Sequence, residues 1–258
     1  MFTIKAVALT ERVWKVLVIL LAGAASTACT SPSQLYRVNV NDDSSSFYVA
    51  NATIRPDGWQ NKNPERGGAG IEFGYEHQSG EATQRLPGGF IKLDATGGSN
   101  VTINGPQYLR NSASADHGHV AFNYLLNFGR YFSLEPEVGI GYDQLNLTVR
   151  SLTSGVVVDT SRSVLGVTVG ISPRWNFSNH FAVEGRIRYG QGHGNTSLYN
   201  PAFTYSPIKN ISFALGYAWR DQWFSGKGNH SSATTAPGDT SDIELKYAGP
   251  SIGLRMKF

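Results

Sequence analysis

One short stretch of this chain, residues 114–119 (SADHGH), carries the residue types that nucleophilic catalysis needs. Ser114 offers a hydroxyl, Asp116 a carboxylate, and His117 and His119 offer imidazoles. A histidine can act as the general base for a serine nucleophile when another group orients its ring. The same four residues are also ordinary constituents of a polar loop. Hydrolysis is therefore kept as an alternative, and the expectation is that the protein is not an enzyme.

Histidines elsewhere in the chain could supply metal ligands. His193 and His230 lie in glycine-rich segments and could meet His117 and His119 at the outer mouth as a metal site. Their wide separation in sequence argues against it. The GQGHG segment around His193 lacks the strand-to-helix context of a phosphate-binding loop, and no nucleotide, haem or flavin signature is present. We expect no metal site and no cofactor.

A larger set of ionisable side chains shares one feature, which is that each alternates with apolar neighbours. Six are acidic and six are basic: Glu72, Glu76, Glu135, Glu137, Asp143, Glu184, Arg174, Arg186, Arg188, Arg220, Arg255 and Lys257. Side chains of a strand point alternately to opposite faces, so these charges are expected together on the face away from the apolar residues. Charges removed from water must be paired. The equal numbers predict a cross-linked network that plugs an interior and disfavour an open pore.

Eight segments with alternating apolar residues must position these charges. They lie at residues 71–76, 120–129, 135–143, 165–175, 181–189, 199–205, 211–220 and 248–258. After the third segment the apolar phase shifts to Leu145, Leu147 and Val149, which indicates a β-bulge or the point where the strand leaves a membrane. Weaker alternation at 35–40 and 47–50 could add a hairpin. The predicted fold class is all-β: a closed, antiparallel, up-and-down transmembrane β-barrel of eight strands, or alternatively ten.

The second face of these strands favours a membrane barrel over a soluble one. It is rich in glycine, which weakens a solvated strand but suits the crowded interior of a narrow barrel. The apolar face carries aromatic residues near the segment ends, such as Tyr142 and Trp175. Such rings favour the depth of lipid headgroups. Each apolar stretch also approaches the roughly 9 to 11 residues that a tilted transmembrane strand needs.

Loop lengths support the same topology. Connections after the second, fourth and sixth segments are short, and the others are longer, the longest being about 78–118 and 221–242. Alternation of short periplasmic turns and long outer loops is typical of outer-membrane barrels. It predicts that both ends of the barrel segment, residues 67–258, lie on the periplasmic side.

Composition and the N-terminal residues indicate export. Charged residues make up 16% of the chain, below the roughly 25% typical of soluble domains. The net charge of +3 is too small to predict nucleic-acid binding. Basic residues precede a short apolar run and small residues up to Ala28, which predicts a signal peptide over residues 1–28. Residues 29–66 are polar and are interpreted as a periplasmic lead-in.

The single cysteine, Cys29, directly follows the predicted cleavage site. Its position resembles the lipid-modified cysteine of bacterial lipoproteins. Ser26 stands where the processing motif of that family has an aliphatic residue, so lipidation of Cys29 is the alternative to simple cleavage. One cysteine permits no intrachain disulfide.

The last eleven residues, AGPSIGLRMKF, place Ile252, Leu254, Met256 and Phe258 at every second position. This pattern resembles the C-terminal strand of bacterial outer-membrane barrels, which implies recognition of these four residues by the barrel-assembly machinery. Over residues 67–258 the chain is similar to the small, eight-stranded, OmpA-type outer-membrane barrels. The resemblance implies a location in the bacterial outer membrane, in contact with its lipid and lipopolysaccharide.

The expected function is a structural or surface-recognition role, with the long outer loops available to an extracellular ligand. One alternative is a narrow porin or channel for small or apolar solutes. The other is a lipid A-modifying enzyme that would use the SADHGH stretch near the outer leaflet.

Overall fold

The computed structural model describes residues 35–40, 45–56, 67–96, 98–191, 194–208, 210–226 and 240–257. These residues form β-strands and turns and no helix. Within this part of the chain, no helix has the length and apolar character needed to cross a membrane. The predicted signal peptide, Cys29, His193, His230 and Phe258 lie outside the described residues.

The described residues contain twelve strands. Their bounds are β1 Leu35–Val40, β2 Ser46–Ile54, β3 Gly68–Leu86, β4 Phe90–Asp94, β5 Asn100–Asn104, β6 Gln107–Phe128, β7 Phe132–Ser151, β8 Val157–Asn176, β9 Phe181–Gln191, β10 Gly194–Ile208, β11 Ile211–Phe224 and β12 Asp242–Lys257. Ten of them form one sheet in the order β1-β12-β11-β10-β9-β8-β7-β6-β3-β2, and β4 and β5 form a separate two-stranded sheet.

The large sheet closes into a ring through β12. One edge of β12 pairs with β11, and the other edge pairs with β1 along Asp242 to Tyr247 and with β2 along Ser251 to Lys257. β1 and β2 therefore lie end to end beside β12 and share one position in the ring. The ten strands occupy nine such positions, which we call places. Strand direction alternates at each antiparallel step, so an odd number of places must close with a parallel pair. Both closing pairs are parallel.

All eight segments predicted from alternation correspond to strands of the ring, except that Gly129 lies just beyond β6 and Phe258 lies outside the described residues; the count of eight is not confirmed. The two weak segments at 35–40 and 47–50 are also strands of the ring, β1 and β2. They do not form the predicted hairpin, because both pair with β12. The segment 29–66, interpreted as a lead-in, thus contributes strands to the ring. Leu35 lies beside Asp242 and Lys257 lies opposite Thr53, so the ends of the described chain lie at opposite ends of the ring.

The ring has two zones, which β7 shows most clearly. We call the part of the ring that is level with residues 135–143 of β7 the belt zone. Here side chains such as Val138 and Ile140 are exposed on the outside, and charged side chains are buried inside. Along residues 144–151, the core zone, the pattern reverses: Leu145, Leu147 and Val149 are buried inside and polar residues face out. The register with β6 and β8 continues through this point without a shift. The phase change is therefore not a bulge, because the same inward face simply changes from charged to apolar.

Large apolar side chains encircle the outside of the belt zone. Leu165 is 65% exposed, Leu215 64%, Ile252 59% and Ile140 58%. Aromatic residues mark both edges of the belt, with Tyr75, Tyr142, Tyr217 and Trp219 beside the core zone and Trp175, Phe177, Phe181 and Tyr205 at the other edge. On β8 the belt covers the ten residue steps from Leu165 to Trp175. That is about 33 Å along the strand, or about 25 Å along the axis at a tilt of about 40°.

The core zone is filled by an apolar cluster to which the β4–β5 hairpin contributes. Ile91, Leu93 and Ile103 of the hairpin are buried with Leu145 and Ile243 of the ring. The backbone N–H of Thr96 donates to the carbonyl of Asp159 at 2.7 Å, and that of Ser241 donates to the carbonyl of Lys92 at 2.8 Å. The loop predicted over residues 78–118 is shorter, because β3 continues to Leu86 and β6 begins at Gln107. The residues between these strands contain a two-stranded hairpin whose apolar face packs against the ring.

One partly buried ion pair fixes this hairpin to the ring. Arg162 on β8 contacts the Asp94 carboxylate at 2.6 Å. The same guanidinium donates to the carbonyl oxygen of Phe224 at 3.2 Å. It thereby connects the hairpin, β8 and the end of β11.

Candidate functional site: the charged interior of the belt zone

The belt zone places ionisable side chains inside the ring because these residues occupy alternate positions on strands whose other face is apolar. Glu76 is completely buried, and Glu72 and Arg188 are each 2% exposed. Arg174, Glu184 and Lys257 are half-buried near the end opposite the core zone. Eleven of the twelve charges selected from the sequence take part in ion pairs here. For the twelfth, Lys257, the described residues provide no ion-pair partner.

Arg188 on β9 is the centre of this network. Its Nη1 lies 2.6 Å from Glu76 Oε1, its Nε lies 2.6 Å from Glu137 Oε1, and its Nη2 lies 3.4 Å from Glu72 Oε1. One guanidinium can serve three carboxylates because its N–H donors project as a planar fork. The contacts join β9 to β3 and β7 across the interior of the ring.

Arg220 on β11 continues the network toward the core zone. Its Nη1 lies 2.6 Å from Glu76 Oε2 and its Nη2 lies 3.0 Å from Asp143 Oδ1. The amide of Gln222 donates to the same Asp143 oxygen at 2.6 Å, and the amide of Gln78 donates to Gln222. The side chains of Gln222 and Gln78 therefore extend the ion-pair network by hydrogen bonds to the boundary with the core zone.

The SADHGH stretch lies inside β6 and not in a loop, so its residues alternate between faces. His117 and His119 point inward, where His117 Nδ1 lies 3.0 Å from Asp143 and His119 Nε2 lies 3.1 Å from Glu72. Asp116 is on the outward face, 2.8 Å from His77 and within hydrogen-bond reach of the Tyr75 hydroxyl. Ser114 occupies the same outward face of β6. The strand thus separates the hydroxyl from both imidazoles, and the candidate triad is not assembled.

The end of the belt zone opposite the core zone is predominantly basic. The Glu184 carboxylate forms ion pairs with Arg174 at 3.3 Å and with Arg255 at 3.0 Å. Arg55 forms an ion pair with Glu135. Arg186 lies closer to the core zone than these pairs do, and its guanidinium is 3.2 Å from Glu72.

Glycines make room for these charged groups. A Cβ at Gly74 would lie 1.8 Å from His119 Cε1, and a Cβ at Gly170 would lie 2.6 Å from a carboxylate oxygen of Glu137. Both glycines are on the inward face that the sequence predicts to be crowded. Their role is to let longer side chains from neighbouring strands cross the interior.

Alternation as interpreted from the sequence does not select three inward ionisable residues of the belt zone. Arg55 was assigned to the lead-in, although it continues the alternation of Asn51 and Thr53 on β2. His117 and His119 were assigned to a loop, although they continue the period-two pattern of β6 toward the N-terminus. In each case, extending a recognised alternation by one to five residues identifies them.

Three of the four residues of the proposed assembly signal lie among the described residues. Ile252 and Leu254 of the proposed assembly signal are exposed on the outer face of β12 and Met256 is half-buried there. Among the residues the structure describes, no three histidine, cysteine or acidic side chains are grouped to hold a metal ion. Comparison of the chain with protein-family models, curated proteins and solved structures gives no match.

Proposed function

We propose that this chain is an integral β-barrel of the bacterial outer membrane, with a plugged lumen and a structural or surface-recognition role. The observation that carries the proposal is the belt of exposed apolar side chains around a charged interior. In water, an apolar surface of this extent would favour association or aggregation. In a bilayer, the same surface meets hydrocarbon, and the estimated height of about 25 Å corresponds to the apolar band of such barrels.

The core zone supports the same interpretation because its polarity is the reverse. Its outward residues include Arg110, Asn146 and Arg150, and its inward residues are mostly apolar, with Arg162 as a paired exception. This is the arrangement of a protein surrounded by water. The change between the two patterns lies next to Tyr75, Tyr142 and Trp219, which are suited to a membrane–water interface.

Two pairs of connections support a direction for the ring. The β6–β7 and β10–β11 connections at the free end of the belt zone are short, and the core zone at the other end carries the β4–β5 hairpin and the long β11–β12 connection. By the usual arrangement of such barrels, the core zone extends into the external medium. Recognition is accordingly proposed for the outer surface of the core zone and its hairpin.

The plugged lumen favours this role over a channel. A solute would have to pass the apolar cluster with Leu93 and Leu145 and then the ion pairs around Arg188. Breaking a buried ion pair is strongly unfavourable. Purified protein in planar bilayers should therefore show no steady conductance, and a stable open current would contradict the plugged state.

The relation to OmpA-type barrels remains a proposal that depends on the closing strand and the ion-paired interior. The nine places and the parallel closure depart from the even strand numbers of bacterial barrels. A lipid A-modifying activity has less support, because Ser114 lies on the opposite face from His117. Lipid A from cells that express the protein should give an unchanged mass spectrum.

The central test is the requirement for an amphiphile. The mature chain should refold only with detergent or lipid vesicles, and unheated samples should migrate differently from boiled samples in a detergent gel. A monodisperse folded protein in plain buffer would contradict the membrane assignment.

A further inference from the structure

A second cluster of ionisable side chains lies on the outside of the ring, where the belt zone meets the core zone. Asp116 on β6 accepts a hydrogen bond from the Tyr75 hydroxyl, and His77 Nδ1 lies 2.8 Å from the same carboxylate oxygen. His77 and Asp116 are directly opposite each other on β3 and β6. Their side chains are 31% and 33% exposed. This outward pair lies on the opposite face of the strands from the charged interior.

The pair determines how the His77 ring is presented. Because an ionised carboxylate only accepts hydrogen bonds, Nδ1 carries the proton and Nε2 presents a lone pair. Nδ1 faces β6, so Nε2 projects away from β6, on the side where Tyr48 of β2 stacks on the ring at 6.3 Å between centroids. Among the described residues, Nε2 has no hydrogen-bond partner. A histidine that is oriented through one nitrogen and free at the other is suited to act as a general base.

A hydroxyl group lies at the next outward position of β3. Ser79 follows His77 by two residues, which places both side chains on one face, about 7 Å apart along the strand. The Ser79 hydroxyl is 2.9 Å from that of Ser46 on β2, on the same side of β3 as the free Nε2. Ser79 and His77 are not hydrogen-bonded to each other in this structure. Contacts between a base and its nucleophile are often long in free enzymes and shorten when substrate binds.

The position of the pair on the ring coincides with the proposed membrane–water interface. His77 follows Tyr75, an aromatic residue at the edge of the belt, by two residues toward the core zone. Gly118 lies in register between Tyr75 and Tyr142, and a Cβ at Gly118 would meet no atom within 4 Å. The belt therefore has an open gap between two exposed rings. A lipid acyl chain in this gap would bring its ester group, at headgroup depth, to His77 and Asp116.

Charge around the pair favours one class of headgroup. The next outward charges along β3 and β6 are Glu81 and Arg110, which pair with each other. The described residues around Asp116 thus provide no excess positive charge for a headgroup with several phosphates. A zwitterionic glycerophospholipid fits this surface better than lipid A does, in agreement with the unchanged lipid A expected above.

We propose that Ser79, His77 and Asp116 form a site that hydrolyses the acyl esters of zwitterionic glycerophospholipids. The Ser79 oxygen attacks the ester carbonyl carbon, and its proton passes to His77 Nε2. The bond between this carbon and the glycerol oxygen breaks, and His77 gives the proton to that oxygen, so a lysophospholipid leaves and Ser79 is acylated. Water then gives a proton to His77 and attacks the acyl carbon, which releases the fatty acid, and Ser79 regains the proton. Asp116 orients the imidazole and stabilises its charged form.

The substrate class rests on the proposed membrane location, whereas the three side chains are features of the ring itself. Two assays on the full chain, refolded in neutral detergent, test both parts. The first measures fatty acid released from diacyl phosphatidylcholine in mixed micelles, with the dialkyl ether analogue as the uncleavable control. The second uses a long-chain alkyl fluorophosphonate, which forms a phosphorus–oxygen bond with an activated serine and releases fluoride. Peptide mass spectrometry identifies the labelled residue, and gel migration of unheated samples verifies that each variant is folded.

The wild type should be labelled at Ser79 and should cleave the ester lipid but not the ether lipid. Ser79→Ala should abolish both signals, and His77→Asn should lower both rates by at least about 100-fold. Ser114→Ala is the matched control, because Ser114 lies opposite Ser79 on the same outward face, and it should leave both rates unchanged. Asp116→Asn should lower kcat with KM unchanged, since Asp116 positions the imidazole, and Asp116→Glu should recover part of the rate.

Three outcomes would count against the site. A folded wild type that is not labelled at Ser79, or equal cleavage by the wild type and Ser79→Ala, would overturn the proposal. Loss of activity in Ser114→Ala but not in Ser79→Ala would overturn the assignment of the nucleophile. Labelling of Ser79 without cleavage of the ester lipid would overturn glycerophospholipid as the substrate. Failure of the membrane assignment has a different signature, which is a folded protein in plain buffer.

Discussion

The belt zone and the core zone are built from the same strands, yet they place their apolar residues on opposite sides. In the belt zone of β7, Val138 is exposed and Glu137 is buried; in the core zone of the same strand, Asn146 is exposed and Leu147 is buried. The register is continuous between them. Alternation therefore establishes that a strand has two different faces, whereas the surroundings of each zone determine which face is apolar.

The comparison also separates two ways of stabilising an interior. The belt zone joins its strands by ion pairs of buried arginines and carboxylates, and the core zone does so by packing aliphatic side chains. A buried ion pair contributes little net free energy but is costly to break, while each buried aliphatic side chain contributes through burial and packing. Substitutions on matched positions should distinguish these contributions.

The largest effect is expected for Glu76→Gln in the belt zone. Glu76 is fully buried and pairs with both Arg188 and Arg220, so its neutralisation leaves two guanidinium groups without their counter-charge. The free energy of unfolding in lipid vesicles should fall by about 3 to 5 kcal/mol. Glu81→Gln on the same strand removes an exposed pair with Arg110 and should cost at most about 1 kcal/mol. Equal losses for the two variants would show that Glu76 is not in a desolvated network.

Next in size is Leu145→Ala in the core zone. Leu145 is fully buried inside the ring, and its truncation leaves a cavity among aliphatic side chains. Urea unfolding should show a loss of about 2 to 5 kcal/mol. Asn146→Ala, on the outward face, should change stability by no more than about 0.5 kcal/mol. If Asn146 proved the more sensitive position, the assignment of faces in the core zone would be wrong.

A charge on the outside of the belt tests what surrounds that zone. Leu215→Arg should reduce the free energy of unfolding by about 2 to 4 kcal/mol if the site lies near the bilayer midplane, because the guanidinium would enter hydrocarbon. Asn146→Arg makes the same chemical change on the outside of the core zone and should be nearly neutral. Vesicle refolding measures both, and a stable Leu215→Arg protein would place water, not lipid, around the belt.

The smallest effect concerns pH and the core zone. Burial raises the pKa of Tyr36 above its ordinary value of 10.0, although a hydrogen bond from its hydroxyl to Asn111 opposes the shift. Because the folded state holds this proton more tightly, its contribution to stability is complete below pH 10 and is lost as the pH rises above that value. In unfolding measurements between about pH 9 and 11, Tyr36→Phe should show a shallower alkaline loss than the wild type. Identical slopes would mean that Tyr36 is not the titrating group.

Much of the fold could be predicted because β-strands record their two faces locally. The alternation around Ile140, Val169 and Leu215 predicts three of the ring strands, and the same pattern elsewhere predicts five more of the ten. The closing arrangement could not be predicted in this way, because the pairing of β1 and β2 with β12 depends on residues about 200 positions apart. The short strand β1 also has little local signal of its own.

The candidate site was predictable in part for the same reason. Glu72, Arg188 and Arg220 are on the face that alternation selects, but the partners of each charge depend on how the ring brings β3, β9 and β11 together. The β4–β5 hairpin and its Arg162–Asp94 contact were not anticipated, because a loop sequence does not show what its apolar face will cover. The phase shift at Leu145 was visible, but only the continuous register excludes a bulge.

The parallel closure has a consequence for labelling. β1 and β2 run in the same direction as β12. The polypeptide therefore enters the ring at the end of the core zone and finishes at the opposite end, in the belt zone. If the ring spans a membrane as proposed, an epitope joined just before Leu35 and another joined after the last strand report from opposite compartments, and antibody access on intact and permeabilised cells distinguishes them. An even-stranded meander would have exposed both epitopes to the same compartment.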